Sequence, residues 1–255
     1  MTDTASRTAS LRVRTGARLA GLAFGIALVC GAAALLAGPG YRLEILSLGT
    51  GLQAIRWAAI GALAGAALAL LAAAVLVGSA TPRGRSMALA ALLLNLLIAA
   101  PPLYLYRTVQ TLPRIHDVST DTADPPAFVA VLPLRQGARN PVDYAPETAA
   151  QQRLGYPDIA PLVLDVAPAR AFERAERAAR SMGWQLVAVA PDALRIEATD
   201  TSLLFGFKDD VVIRVRPQGQ GSVVDARSLS RVGGSDFGVN ARRVRAFMRK
   251  LADTA

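Results

Sequence analysis

The sequence predicts an α+β fold: three N-terminal transmembrane helices, then a soluble domain whose antiparallel sheet is packed by two helices in the order β-α-β-β-β-β-α. Residues 17–106 contain three apolar spans with no charge beyond Arg18 at their margin. Residues 161–255 switch between hydrophobic periods of two and of 3.6. Between these parts, eight of the 15 prolines crowd into the stretch from Pro113 to Pro161. The expected division is a basic cytoplasmic tail (1–16), a three-helix membrane region (17–106), a proline-rich extended strap (107–160) and the α+β domain (161–255).

The first span, Ala17 to Gly38, has 22 residues; as a helix it reaches roughly 33 Å, enough to cross a hydrocarbon core. Trp57 to Gly78 and Met87 to Tyr106 are of comparable length, with Asn95 and the Pro101-Pro102 pair as the irregularities of the third. In lipid the backbone must satisfy its own hydrogen bonds, so spans rich in Ala and Gly still read as helices. Gly21 with Gly25, and Gly61 with Gly65, stand four apart, the spacing that lets helix backbones approach. Asn95 is expected to bond between helices. With no Asp, Glu, Lys, Arg or His in the interior of a span, an ion path is disfavoured.

The first span is too long for the apolar core of a cleaved signal, so retention is expected. Val29 and Leu28 before Cys30 do not suit a lipoprotein signal, and Cys30 reads as a buried small hydrophobe. Arg7, Arg12, Arg14, Arg18, Arg83 and Arg85 flank one side of the membrane, against Arg42, Arg56, Arg107 and Arg114 on the other. That bias favours an inside N-terminus and an outside C-terminal domain, in the periplasm of a bacterial inner-membrane protein.

The net charge of +9 divides unevenly: +6 falls on residues 1–106 and +3 on residues 107–255. The basic excess therefore belongs mostly to the membrane flanks. With Lys208 and Lys250 as its only lysines and few interleaved aromatics, the soluble part lacks a nucleic-acid footprint. No cysteine follows Cys30, so its core holds by packing alone.

In the strap, the apolar run Phe128, Val129, Val131 and Leu132 is expected to lie against the domain as an edge strand. Leu162 to Val166 forms a strand, and Pro168 opens a helix with Phe172, Ala175, Ala179 and Met182 on one face. Glu173 with Arg177, and Glu176 with Arg180, have the spacing of helix ion pairs. Trp184–Ala190 and Ala193–Thr199 form a first hairpin, in which Leu194, Ile196 and Ala198 alternate with Arg195 and Glu197 as on a half-buried strand. Asp210–Arg216 and Val223–Ser230 form a second. Val244, Phe247, Met248 and Leu251 then give the last helix its core stripe.

Two groups of residues invite a chemical reading. The connection from Arg227 to Arg243 combines flexible Gly233, Gly234 and Gly238 with a helix N-terminus, where free N–H groups attract anions. Arg227, Arg231 and Arg243 would contact the anion, Ser228, Ser230 and Ser235 would add hydroxyls, and Asp236 and Asn240 would organise the turn. The competing account is structural: Ser235 or Asp236 caps the helix and the arginines pair with aspartates. The second group is His116, Asp117, Asp121, Asp209 and Asp210, with Asp124 nearby. One histidine cannot build a zinc site, and no nucleophile elbow accompanies it. The carboxylates lack the spacing of a calcium loop, so turn and capping roles are favoured. The glycine spacing matches neither a dinucleotide fingerprint nor a Walker loop. No metal and no cofactor are expected.

Three motifs in order carry a family resemblance: Ile115-His116-Asp117-Val118-Ser119-Thr120-Asp121 followed by Pro125-Pro126-Ala127-Phe128; Phe205-Gly206-Phe207-Lys208-Asp209-Asp210-Val211-Val212; and Arg227-Ser228-Leu229-Ser230-Arg231-Val232-Gly233 with Ser235-Asp236 and Asn240. Over about residues 112–252 the chain resembles the bacterial family known as domain of unknown function 1499. The resemblance implies a domain often placed behind membrane spans and assigns no reaction, so no catalytic residue is carried over. The expected function is noncatalytic binding of an envelope component, either an anionic ligand or a lipid, or of a protein partner, with the lipid bilayer as the standing partner. A scaffolding subunit of a membrane complex and a hydrolase using His116 with its carboxylates are the alternatives.

Overall fold

Three helices fill the first unit of the computed structural model, which describes residues 2–79 and 81–253. Side chains of residues 2–7 and 9, Arg7 among them, lie outside that description. The chain divides into two compact units, with the boundary between Thr108 and Val109.

Helix α1 spans Thr2–Arg42, α2 Leu48–Val75 and α3 Pro82–Val109; each is long and apolar enough to cross a membrane. The basic segment expected as a tail is thus the first part of α1. Ser47 starts α2 by accepting the Thr50 N–H at 3.1 Å. Gly78, with φ 76°, follows its end, and the carbonyl of Leu76 there accepts from Ser79 Oγ (2.7 Å) and Arg85 Nε (3.2 Å).

The helices meet in alanine layers, one residue from each: Ala20, Ala72 and Ala88, then Ala23, Ala69 and Ala91. As α1 and α3 advance, α2 recedes, so the three run antiparallel in turn. Tyr41, Trp57, Tyr104 and Tyr106 consequently lie toward one end, an aromatic belt of the kind found at a membrane interface. Of the glycine pairs, Gly61 and Gly65 are the close contacts. A Cβ on Gly61 would stand 2.7 Å from Cys30 Sγ, and one on Gly65 would strike the Asn95 amide. Gly21 and Gly25 face looser surroundings. Cys30 is half-buried rather than buried. Asn95, fully buried, donates to the carbonyls of Ala23 on α1 (3.0 Å) and Ala91 (2.8 Å), the interhelical bond expected of it.

The second unit is built on a six-stranded, wholly antiparallel sheet: β1 (Asp117–Ser119), β2 (Leu162–Leu164), β3 (Gln185–Ala190), β4 (Arg195–Thr201), β5 (Lys208–Gln218) and β6 (Gly221–Ser230). Its order is β1-β6-β5-β4-β3, and β2 pairs with the other half of β6's free edge. Both expected hairpins are present. Leu194 sits in the first hairpin's turn with φ 48° rather than in the strand.

Alternation along the strands sorts side chains onto two faces. Ile196, Ala198, Val211, Ile213, Val215, Val224 and Ala226 pack beneath α5 (Pro168–Ser181) and α6 (Val239–Asp253). Phe172, Ala175, Ala179, Val244, Phe247 and Leu251 meet them as the helical periods require, and Trp184 lies 5.8 Å from Phe247 between ring centres. On α5, Glu176 pairs with Arg180 (2.6 Å), whereas Glu173 turns back to Arg170 (3.0 Å) instead of forward to Arg177.

The opposite face is covered by the strap, which is less extended than its prolines suggest. It contributes β1, a single 3-10 turn (Leu132–Arg135) and helix α4 (Pro146–Gly155), in which Pro146 occupies the first turn, where a missing N–H costs nothing. The run from Phe128 to Leu132 is not an edge strand. Phe128 and Val131 pack flat on Val212 and Leu229, and the intervening N–H groups find another partner.

Candidate functional site

That partner is Glu197. A period of two places Glu197 on the face of β4 away from the helices, a position the sequence presents as solvent. The strap turns it into an interior, and Glu197 is wholly buried. Its carboxylate accepts the backbone N–H of Val129 (3.1 Å), Ala130 (3.0 Å) and Val131 (3.0 Å), and Nε of Arg195 (2.9 Å). Three convergent N–H groups just ahead of a helical turn form an anion nest, and the protein fills it with its own carboxylate.

The same face carries Thr199, Asp210, Arg227 and Arg231, closed by strap residues. Asp210, with no exposure, receives Arg135 (2.6 Å), both arms of Arg231 (2.9 and 2.8 Å) and the Thr199 hydroxyl (2.7 Å). Arg227 grips Asp117 with two nitrogens (3.0 and 2.6 Å) while lying 5.0 Å from the Phe128 ring centre and 5.3 Å from that of Tyr144. Burial pushes the Asp117 carboxyl above its usual range, against the pull of Arg227. Burial, reinforced by Asp117, raises the Tyr144 phenol. Side-chain amides substitute for missing strand partners. Gln152 pairs with both backbone groups of Ser119, and Asn140 Nδ2 reaches the carbonyls of Ser230 (3.0 Å) and Gly233 (2.9 Å).

Residues expected to form one anion-binding connection are divided between the two faces. Arg227 and Arg231 face the strap. Ser228, Ser230, Asn240 and Arg243 face α6: Ser228 bonds Asn240 Oδ1 (2.7 Å), Asn240 Nδ2 donates to the Ser230 hydroxyl (2.9 Å), and Arg243 reaches Asp200 (2.8 Å) and Asp209 (2.7 Å). The loop proper is residues 231–238, between β6 and α6. At its end Asp236 accepts the N–H groups of Gly238 (2.9 Å) and Asn240 (2.7 Å), so the start of α6 already holds a carboxylate. Burial raises the Asp236 carboxyl, and those two N–H groups lower it. Ser235 accepts the Phe237 N–H at 3.4 Å.

The second group also disperses. His116 meets Asn240 through its backbone carbonyl (2.9 Å), beside Asp117. Asp209 and Asp210, adjacent in β5, project to opposite faces. Asp121 lies at the far end of the sheet with Arg216 (3.0 Å), near Asp124, Arg214 and the buried Asp225. Burial works to raise the Asp121 carboxyl, but the N–H groups of Asp124 and Ala123 with Arg216 and Arg214 hold it below the usual range. Among the described residues, no three His, Cys, Asp or Glu side chains gather in a metal-binding arrangement. The residues that close the site, Glu197, Arg135, Asn140 and Gln152, were not singled out by the sequence. Their signal is faint, since each is an ordinary polar residue until the strap folds over.

These features define a class: a protein with three helices long and apolar enough to cross a membrane and an antiparallel α+β domain, one sheet face helical and apolar, the other an arginine–carboxylate lattice beneath a strap. The chain belongs to the family described as protein of unknown function (DUF1499), whose model matches residues 117–251, just over half of the sequence. A search among curated proteins returns no match.

Proposed function

We propose that this is a bacterial inner-membrane protein whose domain is displayed in the periplasm and acts noncatalytically, binding an envelope component or a protein partner. One observation supports it most. Each carboxylate that would serve as general acid or base, Asp117, Asp121, Asp209 and Asp210, is engaged by an arginine, and three are nearly solvent-free. A proton-transfer group needs access to its substrate, so this lattice suits a rigid platform better than a hydrolase. The arginine excess on α1 and at the start of α3 supports the orientation.

Contact with the partner is assigned to the 231–238 loop, where Gly234 is exposed and an added side chain would meet nothing within 4 Å. A photoreactive residue at Gly234 in intact cells is expected to capture a discrete species that the same residue at Gln220 does not. A recovered glycan, or a lipid enriched over the bulk bilayer lipids, identifies an envelope ligand, and a single protein identifies a scaffolding role. Equal capture from both positions contradicts the assignment, as would a hydrolytic activity abolished by His116→Ala.

A further inference from the structure

The turn between β4 and β5 is built unlike the other hairpin turns of the domain. Its sequence, Ser202-Leu203-Leu204-Phe205-Gly206-Phe207, is almost wholly apolar, and Leu203 is 91% exposed and Leu204 43%. It is also rigid. Ser202 N donates to Phe207 O (2.8 Å), Phe207 N to Ser202 Oγ (2.9 Å) and Gly206 N to Ser202 O (3.0 Å), with Gly206 at φ 66°. The Phe205 and Phe207 rings stack at 5.0 Å. The N–H groups of Ser202, Gly206 and Phe207 are thus paired within the turn, which lowers the cost of entering an apolar phase.

Its place in the fold selects the phase. Strand pairing sets Thr201 against Lys208, and Asp209 against Ser230. The carbonyl of His116 accepts the Ser230 N–H (2.9 Å), and that of Ile115 accepts the Asp236 N–H (3.0 Å). The chain arriving from α3 therefore enters the domain at the same end of the sheet that carries the 202–207 turn. Between Val109 and Asp117 run residues 110–116; fully extended, these reach at most about 25 Å. A bilayer is thus held within a short tether of this end. Exposed Lys208 and Arg114 flank it, as cations flank apolar residues that rest among lipid headgroups.

We infer that the 202–207 turn inserts into the headgroup–acyl boundary of the bilayer holding the chain and docks that end of the domain on the membrane. This rests only on the membrane anchoring, not on the periplasmic placement or on any captured partner.

The test uses the full chain with Cys30→Ala, reconstituted in vesicles of phosphatidylcholine and phosphatidylglycerol, carrying a polarity-sensitive fluorophore on Leu203→Cys. The reference site is Gln220→Cys, in the β5–β6 turn at the opposite end of the sheet. Docking predicts blue-shifted emission at 203, several-fold weaker quenching by aqueous iodide than at 220, and strong quenching by lipids bearing a nitroxide near the headgroup. Equal iodide access at both sites overturns the inference. So does shielding at 203 without nitroxide quenching, which would mean that protein, a second copy or the rest of the chain, covers the turn.

Discussion

Replacing Glu197 by Gln removes one oxygen from a carboxylate that holds three backbone N–H groups of the strap and Nε of Arg195. Gln keeps the shape, but whichever way it flips its amide nitrogen faces the N–H of Ala130 or of Val131, while the Val129 N–H, 3.1 Å from both oxygens, keeps the remaining one. Hydrogen bonds to a charged acceptor contribute about 1.5–3 kcal/mol each, and a buried donor left unpaired costs about 1–3 kcal/mol. The opposed donor therefore loses about 2 kcal/mol, the two remaining bonds weaken by roughly 1 kcal/mol each on passing from a charged to a neutral acceptor, and relief of the buried charge returns roughly 1 kcal/mol. Arg195, partly exposed, adds little once screened. The net expectation is about 3 kcal/mol, or roughly 6–12 °C in the unfolding midpoint of a domain this size. Thermal unfolding of the full chain in detergent, followed by fluorescence of the buried Trp184, measures it. Glu173→Gln, in an exposed pair with Arg170, is the control and should move the midpoint little. Equal small shifts for the two variants would refute the view that Glu197 fastens the strap.

Asp210→Ala leaves Arg135 and Arg231 facing each other without a counter-charge; chemical denaturation should register a loss of about 3–5 kcal/mol. Gly61→Val is expected to loosen the helical bundle more than Gly25→Val, because a Cβ at Gly61 would meet Cys30 Sγ at 2.7 Å, whereas a Cβ at Gly25 meets nothing within 4 Å. Their relative resistance to denaturing detergent decides it, and equal resistance would dismiss the close contact. The Asp121 carboxyl is held below its unfolded value of 3.8, so its contribution is present above that pH and fades as pH falls through the folded value. Asp121→Asn should thus be less stable than the parent at pH near 6 and converge with it in acid; a stability difference independent of pH would exclude this linkage.

What the sequence revealed and what it hid divide along a physical line. The hairpins, α5 and α6 were legible because their residues answer to neighbours two, three or four positions away, and the stripe of Val244, Phe247 and Leu251 needs no distant partner to be seen. The lattice answers to residues far along the chain, as when Arg227 pairs with Asp117 across 110 positions. Alternation in β4 correctly separated Ile196 and Ala198 from Glu197, yet it had no means of distinguishing water from a strap on the polar side. Helix α4 was hidden by weak amphipathicity in a stretch punctuated by Pro141, Pro146 and Pro157, although Pro146 at its start follows the helix rule. The residues proposed for anion binding were visible as a cluster in sequence. Their division between two sheet faces follows from the alternation of β6, which separates Arg227 from Ser228.

Three membrane-crossing helices presenting the domain outside the cytoplasm is the claim on which the functional reading stands. Gln220→Cys in a Cys30→Ala background places one thiol in the exposed β5–β6 turn, and spheroplasts expressing it can be treated with a membrane-impermeant maleimide. Labelling of intact spheroplasts, equal to that after lysis, is predicted. Labelling only after lysis would put the domain in the cytosol and contradict the account.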